Sequence, residues 1–386
     1  MKNIIVLLTI IFSIGLSSCK KEKSTVTEPP IVQTEQQKVF KEFWDIYNRY
    51  YPLMHRKNID WQAIYDSYSK KISTTYTDQQ LFDDFNTIFS TILKDGHSGL
   101  TFNHQETEFE PNMNENVINM VAHNTPLLIN LEESTQSNTY ISYGSLKSNP
   151  EIGYILSKQF EPVNESEAEF NQFKTIVDAA LNALKEKEGI IIDVRTNGGG
   201  QGPFAYYLAG RFFSSPETIS LVRMRVKERE GSAVSNLSEW LTENFEGYPD
   251  QRAEGGYVAG VWTDDFNIQA SGEYQFVKKV AVLTSKGTAS AAEYFTAAMK
   301  TQSHIKTIGE QTFGIFAGSE HITLTNGGGK WTTRISVQDV EMLYNGAFQS
   351  FEGIGISPDV ISMPTATQVD EGLDIHIDEA INFIKQ

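Results

Sequence analysis

The sequence predicts an α/β fold with a helical domain ahead of it, and three observations carry that reading. From Gly153-Tyr154-Ile155-Leu156 the chain runs through Phe170, Phe173, Val177, Ala180, Leu181 and Leu184, spaced as on one face of a helix, to the apolar run Ile190 to Val194. This is a strand, a helix and a second strand buried on both faces, the passage that builds parallel sheets. A second passage follows, with Val280 to Thr284 as strand and Ala291 to Lys300 as helix. Between Gln36 and Leu93, apolar residues such as Val39, Phe40, Phe43, Trp44 and Tyr47 recur at helical spacing. That pattern predicts about three helices whose aromatic stripes form core.

The chain opens with Lys2 and the apolar run Ile4 to Leu16, followed by Ser17-Ser18-Cys19. The run is shorter than the ~20 apolar residues a bilayer-spanning helix needs, so residues 1–18 read as a secretion signal. With a cysteine in place of the usual small residue, the segment resembles a bacterial lipobox. The resemblance implies a mature chain that begins at lipidated Cys19 and is held on a membrane by its acyl chains; an ordinary signal peptide with an incidental cysteine is the alternative. Residues 19–35, charged, rich in Ser and Thr and interrupted by proline, read as a disordered tether. Cys19 is the only cysteine, which excludes an internal disulfide and a Cys-based zinc site. A net charge of −17 argues against a nucleic-acid partner. No second long apolar run follows, so the folded part is expected to be soluble.

Residues 36–100 are assigned to the helical domain and residues 101–150 to a small strand-rich linking region, with strands near Leu127 to Leu131 and Thr139 to Tyr143. Residues 151–386 are assigned to the α/β domain. In it Gly189 is placed to close the amphipathic helix, Trp331 to Met363 reads as stranded, and a last helix runs near Asp374 to Ile384.

Three turns put reactive or hydrogen-bonding groups at the ends of regular elements. In Thr284-Ser285-Lys286-Gly287-Thr288-Ala289-Ser290-Ala291-Ala292-Glu293 a strand enters and a helix leaves. Ser290 would sit at the helix start with its hydroxyl exposed, and the Ala291 N–H and the helix dipole would lie beside any oxyanion formed there. A plain N-cap serine is the other reading. Asp193-Val194-Arg195-Thr196-Asn197-Gly198-Gly199-Gly200 follows a buried strand; its glycines either present amides to a ligand or simply make a turn. In Lys94-Asp95-Gly96-His97-Ser98-Gly99-Leu100 a histidine stands between glycines, as a base or as a structural residue. Asp95 is expected to shape its own turn and Glu293 to complement the helix dipole.

In this order KDGHSGL, IIIDVRTNGGG, TSKGTASAAEYF and FEGIGISPDV resemble the signature series of serine peptidase family 41. That family includes the carboxy-terminal processing (tail-specific) proteases, the tricorn core and the retinoid-binding repeats. The lead-in from FKEFWDIYNRYYP to IDWQAIYDSY is similar to the tricorn-like branch. The resemblance implies a ClpP/crotonase-like β-β-α core, with Ser290 as nucleophile and the amides of Gly199 and Ala291 as the oxyanion hole. Many members place a lysine base twenty-five residues after the nucleophile, where this chain has Ile315. The chain therefore fits the branch in which the histidine, here His97, is the base and a glutamate, here Glu352, assists it.

Two departures stand out. Gly96 replaces the serine that the tricorn type has before its histidine, and residues 101–150 are too few for an ordinary PDZ domain, which puts tail recognition in doubt. The remaining histidines show no metal-ligand spacing, so neither a metal nor a cofactor is expected. The implied activity is endopeptidase cleavage of a protein or peptide substrate through a Ser290 acyl-enzyme. The alternatives are a lipid-anchored binding protein on the same fold and an esterase. Lys20 after Cys19 favours the outer membrane of a Gram-negative cell envelope, by analogy with lipoprotein sorting.

Overall fold

The computed structural model describes residues 33–107, 109, 111–228, 236–262, 264 and 266–386. The signal, Cys19 and nearly all of the tether lie outside them. The first helix, Glu35–Tyr50, begins where Thr34 and Gln37 cap each other: the Gln37 amide donates to Thr34 Oγ1 and the Thr34 amide to Gln37 Oε1. The helix thus starts one residue before the boundary expected at residue 36. Asp60 caps Trp61–Lys71, and Thr77 caps Asp78–Thr87, which continues as the wider turn Ile88–Leu93. Phe40, Phe43, Phe85 and Phe89 from this region are buried in the same core as the α/β part. Trp331 joins the two, with Phe102 stacked 3.9 Å from its ring centroid and Phe85 edge-on at 5.6 Å.

The central sheet has seven strands in the order Val360–Ile361, Ile305–Gly309, Lys279–Thr284, Gly189–Asp193, Ile152–Ser157, Ile141–Leu146, Ile129–Leu131. The first five run parallel; Ile141–Leu146 runs against them, and Ile129–Leu131 at the edge runs against it in turn. Ile190 and Ile192 face one apolar layer and Ile191 the other. An unbroken apolar run is what a strand covered on both faces requires, and each such side chain contributes about 1.5–3 kcal/mol on burial. Phe173 and Val177 of Glu167–Leu184, with Phe295 and Met299 of Ala291–Lys300, belong to the first layer; Ile377, Ala380 and Ile384 of Ile375–Lys385 belong to the second.

This is the α/β fold with an N-terminal helical region that the sequence predicts, and several local expectations change within it. Gly189 does not close a helix. The helix ends at Leu184, and Gly189 opens the next strand, where a Cβ would meet Ile384 at 2.5 Å and the Lys279 carbonyl at 2.9 Å. Leu127 and Leu128 lie in the short helix Thr125–Leu128, so the strand there is only Ile129–Leu131. Residues 101–150 hold further helical turns at Glu115–Asn119 and Met120–Asn124; Ile129–Leu131 and Ile141–Leu146 pair into the central sheet, while Gln105–Glu106 pairs with Gly99–Phe102 in a separate four-stranded sheet. Among the described residues no helix is long and apolar enough to cross a membrane.

Candidate active site

Parallel neighbours end on the same side of a sheet, so the loops that follow them are brought together. Leu283 lies opposite Asp193 and Thr284 opposite Gly309, which gathers the turns after Asp193, Thr284 and Gly309 at one edge. Ser290 stands in the second turn with φ 52° and ψ −123°, a conformation that costs a non-glycine residue on the order of 1–3 kcal/mol. Four hydrogen bonds over-determine it. The Ser290 amide donates to Glu293 Oε2 (3.1 Å), the Ser290 carbonyl accepts from the amides of Glu293 (2.8 Å) and Tyr294 (3.2 Å), and the Ala289 amide donates to the Asn197 carbonyl (3.1 Å). The sequence does not announce this strain. It holds the side chain at the rim of a cavity.

The glycine loop is anchored by a charge network that the sequence reading did not identify. Arg195 is fully buried and donates to Asp193 and, from the C-terminal helix cap, Asp374 at 3.0 Å. Its signal was the DVR that precedes the glycines. Gly199 approaches Ser290 so closely that a Cβ would meet Ser290 Cβ at 2.7 Å and the Ala291 nitrogen at 2.9 Å, and its φ of 105° suits only glycine. The Gly199 amide, expected as an oxyanion donor, instead donates to Asn197 Oδ1 at 2.9 Å. Gly200 is the loop glycine that lines the cavity beside Ser290 and Ala291. The Ala291 amide, first in its helix, has no carbonyl one turn back to bond.

His97 reaches the same cavity from the helical region. Lys94, left-handed at φ 45°, ends the helical turn, and Asp95 shapes the next one as expected. The carboxylate of Asp95 accepts from the His97 amide, Ser98 Oγ and Tyr51 Oη, each at 2.9 Å. Gly96 has no room for a side chain, since a Cβ would meet the Phe313 ring at 2.8 Å and Ile315 at 3.3 Å. His97 Nδ1 lies 2.5 Å from the Ala317 carbonyl. A carbonyl only accepts, so Nδ1 carries a proton, and in the neutral ring Nε2 then keeps its lone pair. Burial moves the His97 pKa down, against the raising influence of Asp95 and the carbonyl.

Glu352 does not bond the imidazole. Its Oε2 accepts from the amides of Phe316 (2.8 Å) and Ala317 (3.3 Å), so it holds the amide side of Ala317, the residue whose carbonyl meets His97. Its Oε1 is buried with no hydrogen-bond partner among the described residues. Burial, and then the Asp95 charge, push the Glu352 pKa up to about 8. Glu293 does more than complement a dipole. Fully buried and pushed by desolvation to about 7, it ties the Ser290 amide to Thr312 Oγ1 (2.6 Å) and to the amides of Gly314 (2.7 Å) and Ile315 (2.9 Å). Ile315, in the lysine's place, is buried and does not line the cavity.

The raised Glu352 pKa has a stability consequence. Between the ordinary 4.5 and about 8 the folded state holds a proton that the unfolded state has released, so this group makes stability fall as pH rises through that window. Glu352→Gln removes the fall while keeping an oxygen for the two amides. The unfolding temperature of the variant relative to the parent is therefore expected to rise from pH 5 to about pH 8. A difference that stays flat across that range would contradict it.

Ser290, Ala291, Gly200 and His97, with Tyr206, Met224, Tyr294, Phe316 and Ala317, surround one cavity of about 190 Å³. It joins a hydroxyl at a strained turn, the first amide of a helix and an imidazole whose Nδ1 is held by a carbonyl. Residues 151–362, more than half of the chain, match the model of peptidase family S41, and residues 32–90 match that of the tricorn protease C1 domain. The fold is similar to that of a candidate peptidase from Parabacteroides merdae, at 21% identity and a TM-score of 0.68, over 92% of this chain and 98% of that one. It is also similar to mature CPAF, at 12% identity and a TM-score of 0.59, over 91% of this chain and 98% of that one. The family match and the shared fold together identify the molecule: the chain belongs to peptidase family S41 and is a serine peptidase of protein or peptide substrates.

Proposed function

We propose that the protein is an endopeptidase that forms an acyl-enzyme on Ser290 with His97 as general base. The observation that carries this reading is the His97 Nδ1 contact with the Ala317 carbonyl, which leaves Nε2 as a proton acceptor in a chamber that Ser290 also lines. Ser290 Oγ attacks the scissile carbonyl as its proton passes to Nε2, and the oxyanion is met by the amides of Ala291 and Gly200. The imidazolium returns the proton to the leaving amine, and water then cleaves the ester by the same route. The Ala317 carbonyl takes the orienting place of a triad carboxylate, and Glu352 acts one peptide further out as a positioning residue. Tyr206, Met224, Tyr294 and Phe316 favour an apolar side chain at the scissile residue. An inert binding protein would gain nothing from the strain at Ser290. A fluorophosphonate probe should label Ser290, as located by peptide mass mapping; labelling elsewhere, or none in folded protein, would overturn the assignment.

The division of the sequence into a helical domain at 36–100, a linking region at 101–150 and a peptidase domain at 151–386 is proposed on the same footing. So is anchorage to the cell envelope through lipidated Cys19, on the outer membrane of a Gram-negative cell, supported by the lipobox-like Leu16-Ser17-Ser18-Cys19. Two or three acyl chains at about 0.8 kcal/mol per buried methylene hold a protein durably. Cys19→Ala should release it into the soluble fraction. A variant that stays with membranes after a high-salt wash would refute the anchor.

A further inference from the structure

The helix Gly202–Gly210 separates the catalytic cavity from a larger groove of about 1020 Å³. Gly202 and Tyr206 line the first, Gln201, Pro203 and Tyr207 line the second, and Tyr206 lines both. The groove is therefore an extension of the reactive chamber around one helix. Its other walls are the start of Glu167–Leu184 and the segment that follows the strand Asn267–Ile268.

Aromatic faces and carboxylates make its chemistry. Phe170, Tyr206 and Tyr207 supply rings, while Glu165, Glu167 and Asp264 supply negative charge. No lysine, arginine or histidine is among the described lining residues. Lys174, one turn along the helix, rests its amine 4.7 Å from the Phe170 ring centroid but does not itself line the groove. Glu167 also offsets the positive end of its own helix, which would otherwise attract anions. Glu165 sits on a built loop: the preceding amides of Val163 and Asn164 donate to the largely buried Glu169 carboxylate at 2.6 and 2.8 Å. Rings combined with carboxylates suit a cationic side chain, whose charge is drawn to both. A net charge of −17 adds long-range attraction for a basic chain.

We infer that this groove is a substrate subsite for an arginine or lysine side chain a few residues from the scissile bond, so that preferred substrates are basic peptides with an apolar residue at the cleavage point. The spacing follows from geometry: rounding a helix about 10 Å across takes about three or four residues of extended chain at roughly 3.3 Å each. The inference rests on the Ser290 reading for the cleavage point, but not for the binding preference.

The test uses dodecapeptides with one central leucine and a single arginine, or its neutral isostere citrulline, two to five residues to either side. Binding is measured by fluorescence anisotropy on the Ser290→Ala protein, and cleavage on the intact protein. Arginine three or four residues out on one side should bind about three- to tenfold more tightly than citrulline, and the preference should shrink at about 0.5 M salt. The double variant Glu165→Gln/Glu167→Gln should lose most of that preference. Equal binding of arginine and citrulline peptides at every position would overturn the inference, as would a full preference in the double variant. If the preference holds in binding while the intact protein cleaves nothing, the catalytic reading fails and the subsite stands.

Discussion

Ser290→Ala is expected to leave the protein folded and to lower kcat/KM for a peptide by about 10³- to 10⁶-fold, the range over which removal of a serine nucleophile acts. The backbone argument predicts the intact fold. The turn is held by the amide and carbonyl of residue 290, both of which alanine keeps, and alanine suffers the same φ of 52° as serine. Residual turnover above the uncatalysed rate would come from the amides around the oxyanion and from substrate binding. Circular dichroism and steady-state kinetics on one peptide check both halves. Turnover within a few-fold of the parent, with contaminating proteases excluded, would remove Ser290 from the mechanism.

His97→Ala should cost about as much, and the double variant little more, because nucleophile and base act as a unit. The pH profile carries the sharper expectation. The reactive form is the neutral imidazole, so kcat/KM should rise with pH and level off once the proton leaves Nε2. Burial lowers this pKa from the ordinary 6.5, so the midpoint of the acid limb should fall below that value. A lysine base would place the limb higher unless burial depressed it by several units, and Ile315 offers no amine. Glu352→Gln should cost less than His97→Ala, since its link to the imidazole passes through the backbone of Ala317, amide to carbonyl. An acid limb centred above pH 7, or near-parental activity in His97→Ala, would refute the histidine base.

The amino-acid pattern alone marked the main strands and helices and singled out the three turns that the fold brings to one cavity, because those properties are local. Ile190 to Val194 had to be buried on both faces, Ala291 to Lys300 had to pack one face, and the motifs around His97, Gly199 and Ser290 kept their types and order. Boundaries slipped where local propensity is weak, as at Gly189 and at Leu127, and there packing against Ile384 or a short helical turn decided. What only the tertiary structure decided is how the groups meet. The partner of His97 is a backbone carbonyl 220 residues away, and a carbonyl is the same group at every position, so no residue type marks it. The same holds for the choice of Gly200 over Gly199 at the cavity, which depends on where Asn197 directs its side chain. Glu293 and Glu352 looked like a helix-start acid and a triad acid. Burial and the amides at residues 314–317 turned them into the clamps that hold Ser290 and His97 on one frame, because a desolvated carboxylate must satisfy its oxygens with whatever donors the fold brings to it.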